Sequence, residues 1–237
     1  MNKLIISVLI VCFMINNSSA GFLDNLLKGT DIGFTGKKDE QTIASGLKEA
    51  LTIGTEKAVK EVSRPDGYFS NALIKILLPE DIQKVANLLS QFGFKKEVDD
   101  LILSMNRAAE KSAPMATSFF VDAIKSMTIE DAFGILNGGN TSANDFFKKK
   151  TSNKLYDTFK PIISDSLQKI GTVNSYKSFT KRLESIPFIE NKSFDLDHYV
   201  TTKALDGLFY MIAEEEKKIK TDPTARVTDL LKKIFDK

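Results

Sequence analysis

From Ile43 onward the apolar side chains recur three or four residues apart, a spacing that an α-helix gathers onto one face. Ile43, Leu47, Ala50, Leu51, Gly54 and Ala58 form the first row and predict a helix from Asp39 to Val62. Arg64-Pro65-Asp66-Gly67 closes it with proline-then-glycine turn chemistry. A second row, Ile82, Val85, Ala86, Leu89 and Phe92, follows Pro79, and a third runs through Val98, Leu101, Ile102, Met105, Ala108, Ala109 and Ser112. Phe119, Ala123, Ile124 and Met127 make a fourth, and Phe146, Phe147, Leu155, Phe159, Ile162, Ser166 and Ile170 a longer fifth. Asn174 opens a shorter helix through Tyr176, Phe179 and Leu183; Asp195 opens one through Leu196, Tyr199, Val200, Ala204, Leu208, Met211 and Ile212. Val227, Leu230, Leu231, Ile234 and Phe235 complete the chain. Strand-like alternation occurs at Ile74, Ile76 and Leu78, but a lone strand lacks a partner, so Tyr68 to Leu78 is read as extended or as a short helix. The class is all-α: a single-domain multi-helix bundle over residues 39–237, with kinked helices and irregular up-down packing.

Punctuation is densest between Met105 and Phe147. Pro114 has no N–H to donate, so the helix before it stops or kinks near Lys111. Thr128 followed by Asp131 predicts a capping box, Gly138-Gly139 a stop, and Thr141 or Ser142 the next cap. Pro161 is expected to strain or break the long fifth helix, and Gly171 to end it.

The first residues set an address. Met1-Asn2-Lys3 is a basic start, Leu4 to Ile15 an apolar run, and Asn16 to Ala20 a small polar exit, the pattern of a secretory signal peptide cleaved after Ala20. The run falls short of the roughly 20 residues a membrane span needs. Lipid attachment at Cys12 is disfavoured by β-branched Val11 beside it. A periplasmic or secreted protein is expected, with residues 21–38 as a flexible N-terminal arm. Cys12 is the single cysteine, so the exported chain would rest on a packed core without disulfides. Losing Lys3 from 33 basic side chains leaves them nearly balanced against 31 acidic ones, which argues against a nucleic-acid partner. No second apolar run suggests an integral membrane segment in the mature chain.

Several motifs in fixed order resemble a known family: Leu47 to Val59, Asp66-Gly-Tyr-Phe69, Asn106-Arg-Ala-Ala-Glu110, Met127 to Ala132, Tyr199-Val200, Asp206-Gly-Leu-Phe209 and Asp222 to Leu231. Together they are similar to the exported bacterial family called domain of unknown function 4197, over nearly the whole mature chain. The resemblance implies a signal-bearing helical envelope protein and brings no established activity or site residue. Asn144-Asp145 stands where that family tends to have Ala-Thr, and Lys220 where an arginine is usual.

The remaining polar residues supply the candidates for function. Asp195 and His198 lie three apart and share a helix face, but a dinuclear helical site needs two such pairs and the chain has one histidine. The same His198 would have to serve a serine triad, for which no strand-turn-helix elbow is present. Asn137 to Ser142 leads into a helix start whose free N–H groups attract anions, which makes Gly138, Gly139, Thr141 and Ser142 anion-binding candidates; the lysine and full glycine pattern of a phosphate loop are missing. Asn106, Arg107 and Glu110 share one helix face and, with Asp131, Glu215 and Arg226, are the candidate binding residues, either lining a polar pocket or locking helices together. Lys148-Lys149-Lys150 is read as a solvated face. No cofactor is expected. The leading expectation is a binding protein for an apolar or amphipathic, lipid-like ligand or for an envelope protein. The alternatives are a carboxylate- or metal-dependent enzyme using Glu110, Asp131, Glu215 and His198, and an envelope scaffold.

Overall fold

A computed structural model describes residues 37–169 and 195–222. By internal contacts the chain divides into residues 1–39 and residues 40–237, and the core lies within the second unit. The helices are α1 (Lys37–Ser63), α2 (Glu80–Leu89), α3 (Lys95–Ser112), α4 (Ala116–Lys125), α5 (Ile129–Asn137), α6 (Ser142–Lys169) and α7 (Leu196–Thr221). A kink over Ser90–Phe94 joins α2 to α3, and a 3-10 turn, Ala113–Met115, joins α3 to α4. The described residues are helical or irregular, with no strand among them, so the all-α class is observed. The expected rows through Tyr176 to Leu183 and Val227 to Phe235, the Gly171 stop, the leader and most of the arm lie outside the described residues.

Helix α6 organises the core. Ala143, Phe147, Thr151, Leu155, Phe159, Ile163 and Leu167 are buried at intervals of four. With 3.6 residues per turn, each step of four advances the stripe by about 40°, so the buried face winds around the helix. That winding is why α6 finds α3, α4, α5 and α7 as neighbours along its length. The buried hydroxyls on this path stay satisfied: Thr151 donates to the Phe147 carbonyl at 2.7 Å and Ser166 to Ile162 at 2.7 Å. Pro161 lies inside one long helix, so of the strain or break expected there the break does not occur.

Three apolar placements also need correction. Phe120, not Phe119, fills the core, edge-on to Phe147 at 5.2 Å and Phe209 at 6.2 Å between ring centroids. The tighter 3-10 turn at Pro114 rotates the register of α4 relative to α3. Ile163 and Leu167, rather than Ile162, carry the α6 row inward, and Ile170 lies outside the described residues. Phe92 is 72% exposed, because Phe92 and Gly93 leave helical backbone angles and Gly93 adopts φ 90°.

Between α1 and α2 the chain forms a strap, residues 64–79. Its turn places the left-handed conformation on Asp66, φ 65°, rather than on the glycine after it. Gly67 is required for a different reason: a Cβ there would lie 2.5 Å from the Glu61 carbonyl oxygen. The ambiguous segment resolves as turns followed by an extended run, with Ile74, Ile76 and Leu78 buried and Leu73 and Leu77 exposed. Tyr68 is fully buried in a slot on α7, where a Cβ at Gly207 would come within 2.6 Å of its ring.

The caps expected at Thr128 and Asp195 form, whereas at the start of α6, where the sequence predicts a Thr141 or Ser142 cap, the Ala143 and Asn144 N–H groups go to Glu216. Thr128 accepts from the Asp131 N–H at 3.0 Å while the Asp131 carboxylate accepts from the Thr128 N–H at 3.0 Å, and Asp195 accepts from the His198 N–H at 2.9 Å.

Candidate functional site

The polar triplet on α3 faces the strap. Asn106 is completely buried, and its side-chain amide meets both main-chain groups of Ile76: the Ile76 N–H donates to Oδ1 at 2.8 Å, and Nδ2 donates to the Ile76 carbonyl at 2.8 Å. One asparagine thereby stands in for a neighbouring strand and satisfies a segment that has no ladder partner. One turn further along α3, Glu110 Oε1 accepts from the N–H groups of Tyr68 at 3.1 Å and Phe69 at 3.2 Å. Its Oε2 accepts from Arg107 at 2.6 Å, and Arg107 also reaches Asp66 at 2.7 Å. Asp66 was not among the sequence candidates; its place beside the triplet follows only from the strap's path.

From the other side α7 completes the seam. The Tyr68 hydroxyl donates to the Ala204 carbonyl at 2.6 Å, and Tyr199 donates to the Leu77 carbonyl at 2.7 Å. Burial pushes the Tyr68 phenol well above the usual tyrosine range, with the nearby carboxylates of Glu110 and Asp206 adding to the shift. It therefore stays a neutral donor. Asn106, Arg107 and Glu110 thus fasten the strap to the bundle in a closed seam.

A second clasp occupies the expected anion site. At the start of α6 the N–H groups of Ala143 and Asn144 donate to the Glu216 carboxylate of α7 at 2.9 and 3.0 Å. A helix start attracts negative charge, and here the chain supplies its own. Lys220 closes the arrangement, 2.9 Å from Glu216 and donating to the carbonyls of Gly139 at 2.6 Å and Ile135 at 3.0 Å. Gly138 is kept free of a side chain by close approach, since a Cβ there would run into the Ser142 hydroxyl and lie 2.7 Å from the Gly134 carbonyl. Ser142 donates to Gly139 at 2.9 Å, and Thr141 faces Asp145 at 3.4 Å. Asn144, through its main-chain N–H, and Lys220 both meet Glu216. Glu216 and Lys220 lie four apart on a helix, a visible pairing signal; nothing in their spacing names the helix start they serve.

Glu215 turns to α1 and pairs with Lys57 at 2.8 Å and, within α7, with Lys218 at 2.7 Å. Burial pushes its carboxyl up, but hydrogen bonds and charge from the two lysines more than offset that and hold it below the ordinary value of 4.5. A carboxyl depressed on folding contributes stability above its unfolded pKa and loses it as pH falls through the folded one. The stability difference between the protein and Glu215→Gln is expected to shrink when urea unfolding is repeated at about pH 3 instead of about pH 7. A difference that grows on acidification would contradict this pairing.

The carboxylates considered for catalysis are not brought together. Asp131 is spent on its capping box, with the Thr128 N–H holding its carboxyl low, Glu110 on the strap and Glu215 on lysines. His198 meets Tyr156, with Nδ1 2.7 Å from the hydroxyl. Among the described residues no group of three or more His, Cys, Asp or Glu is placed to hold a metal ion. Arg226 lies outside them.

What the bundle leaves open is a groove between the strap and α7, a pocket of about 360 Å³. Leu73, Lys75 and Leu77 form one wall and Lys203, Asp206 and Tyr210 the other. Leu73 is 69% exposed, Leu77 51% and Tyr210 38%. None of these was singled out from the sequence, because exposure of an apolar residue is decided by what fails to cover it. No helix among the described residues is long and apolar enough to cross a membrane. The family described as Protein of unknown function (DUF4197) matches residues 37–236 of the chain. No curated protein and no solved structure matches it.

Proposed function

We propose that this chain, which belongs to the DUF4197 family of proteins of unknown function, is an exported binding protein whose contact surface is the groove between the strap and α7. The observation that carries the reading is the exposure of Leu73, Leu77 and Tyr210 around one concavity. Export rests on the leader pattern of residues 1–20 and places the partner in the envelope or outside the cell. The groove's volume stands at the small end of ligand pockets, which run from about 300 to 1,000 Å³. A lining that sets Leu73, Leu77 and Tyr210 beside Lys75, Lys203 and Asp206 suits an amphipathic occupant.

Thermal-shift measurements with envelope phospholipids and with short apolar peptides test this. A binding probe is expected to raise Tm by about 5 °C at saturating concentration, and Leu73→Asp is expected to abolish the rise without changing the Tm of the free protein. A shift that survives Leu73→Asp, or no shift with either class of probe, would remove the groove reading.

A further inference from the structure

We infer that the groove takes an extended peptide segment of a partner protein, paired through its main chain with the outer edge of the strap; the inference rests on the groove being the contact surface. In an extended run the N–H and C=O of one residue point to one side and those of the next residue to the other. Ile76 turns both groups to α3, where Asn106 takes them. Leu77 turns its carbonyl the opposite way, to the Tyr199 hydroxyl of α7. The Leu77 N–H shares that side, and so does the Lys75 carbonyl two residues earlier. Among the described residues no group takes either one, while the Lys75 N–H is used within the strap by the Asn71 carbonyl at 2.8 Å.

A carbonyl and an N–H two residues apart on one side of an extended chain are the pair that a single residue of an added strand satisfies. The strap is thus paired on its inner edge by a side chain, and on its outer edge Tyr199 takes the Leu77 carbonyl while the Leu77 N–H and the Lys75 carbonyl stay open, against a groove of mixed apolar and charged lining. A helix or a lipid chain would cover Leu73, Leu77 and Tyr210 but leave these two groups without partners, since a helix spends its own main-chain groups internally. An extended segment meets both demands. Lys75 and Lys203 outnumber Asp206 at the edge, so the segment carries an acidic residue beside its apolar one.

The test separates main-chain pairing from side-chain contact. A phage-displayed library of short linear peptides is selected on the full chain, and the best peptide is measured against Leu77→Ala, Leu77→Pro and Leu73→Asp. Leu77→Pro removes the N–H, which has no partner to lose in the free protein, and suits a segment already extended; its Tm is expected to match that of Leu77→Ala. Binding is expected to be about tenfold weaker for Leu77→Pro than for Leu77→Ala, because the peptide carbonyl is left unpaired. If Leu77→Pro and Leu77→Ala bind alike while Leu73→Asp weakens binding, strand pairing is wrong and the groove reading stands. If none of the three weakens binding, both fall. A library that yields no peptide also overturns strand pairing, and the groove reading is then decided by the thermal shifts.

Discussion

Replacing Glu110 by alanine is expected to lower the stability of the protein by about 3–5 kcal/mol and its Tm by about 10 °C. The side chain is 5% exposed and serves three donors, the N–H groups of Tyr68 and Phe69 and the Arg107 guanidinium. Its removal leaves two main-chain donors without an acceptor and a cation without its nearer partner, and each lost acceptor costs more than the hydrogen bond itself contributed. Glu110→Gln retains an acceptor for the two N–H groups and gives up the charge pairing; a loss of about 1–2 kcal/mol is expected. Urea unfolding checks both values. Hydrogen exchange adds a local readout: the Tyr68 and Phe69 amides should lose protection in the alanine variant beyond what the global loss explains. A change below about 1 kcal/mol would mean that burial of Tyr68, and not the seam, holds the strap. The consequence for function is direct, because the strap is one wall of the groove.

The second large effect is expected at Glu216. Glu216→Ala strips the acceptor from the first N–H groups of α6 and the counter-charge from Lys220, whose side chain is 11% exposed. A loss of about 3–5 kcal/mol is expected, since two main-chain donors lose their acceptor and a nearly buried cation loses the carboxylate 2.9 Å from it. Removing both charges should cost less than removing one: in Glu216→Ala with Lys220→Met, the lost cation no longer needs a partner, and about half of the single-variant loss should return. A double-mutant cycle by chemical unfolding measures this coupling. Strict additivity of the two substitutions would show that Glu216 serves only the α6 start.

Of the two residues, Glu110 was a candidate from the sequence and Glu216 was not. Asn106, Arg107 and Glu110 stood out because their spacing puts them on one helix face, and the structure does bring them together. Whether they lined a pocket or closed a seam depended on the strap, whose alternation was visible while its partner was not. The anion-attracting start of α6 was equally legible, but its anion is a glutamate 73 and 72 positions away from the two amides it receives. Phe119 and Phe120, or Ile162 and Ile163, differ by about 100° on a helix, and either choice continues a plausible apolar row. Packing alone chose between them.

The sequence by itself determined the helices, their caps at Thr128 and Asp195, and the break at Pro114. These features are settled by interactions within about four residues, close enough for spacing to encode them. The tertiary structure decided the partners: Asn106 with Ile76 across 30 positions, Glu110 with Tyr68 across 42, and Tyr68 with Ala204 across 136. A buried polar side chain states in the sequence only that it needs a partner. Which main-chain group it meets is set by how the helices pack around α6, and so is the edge of the strap that the bundle leaves open.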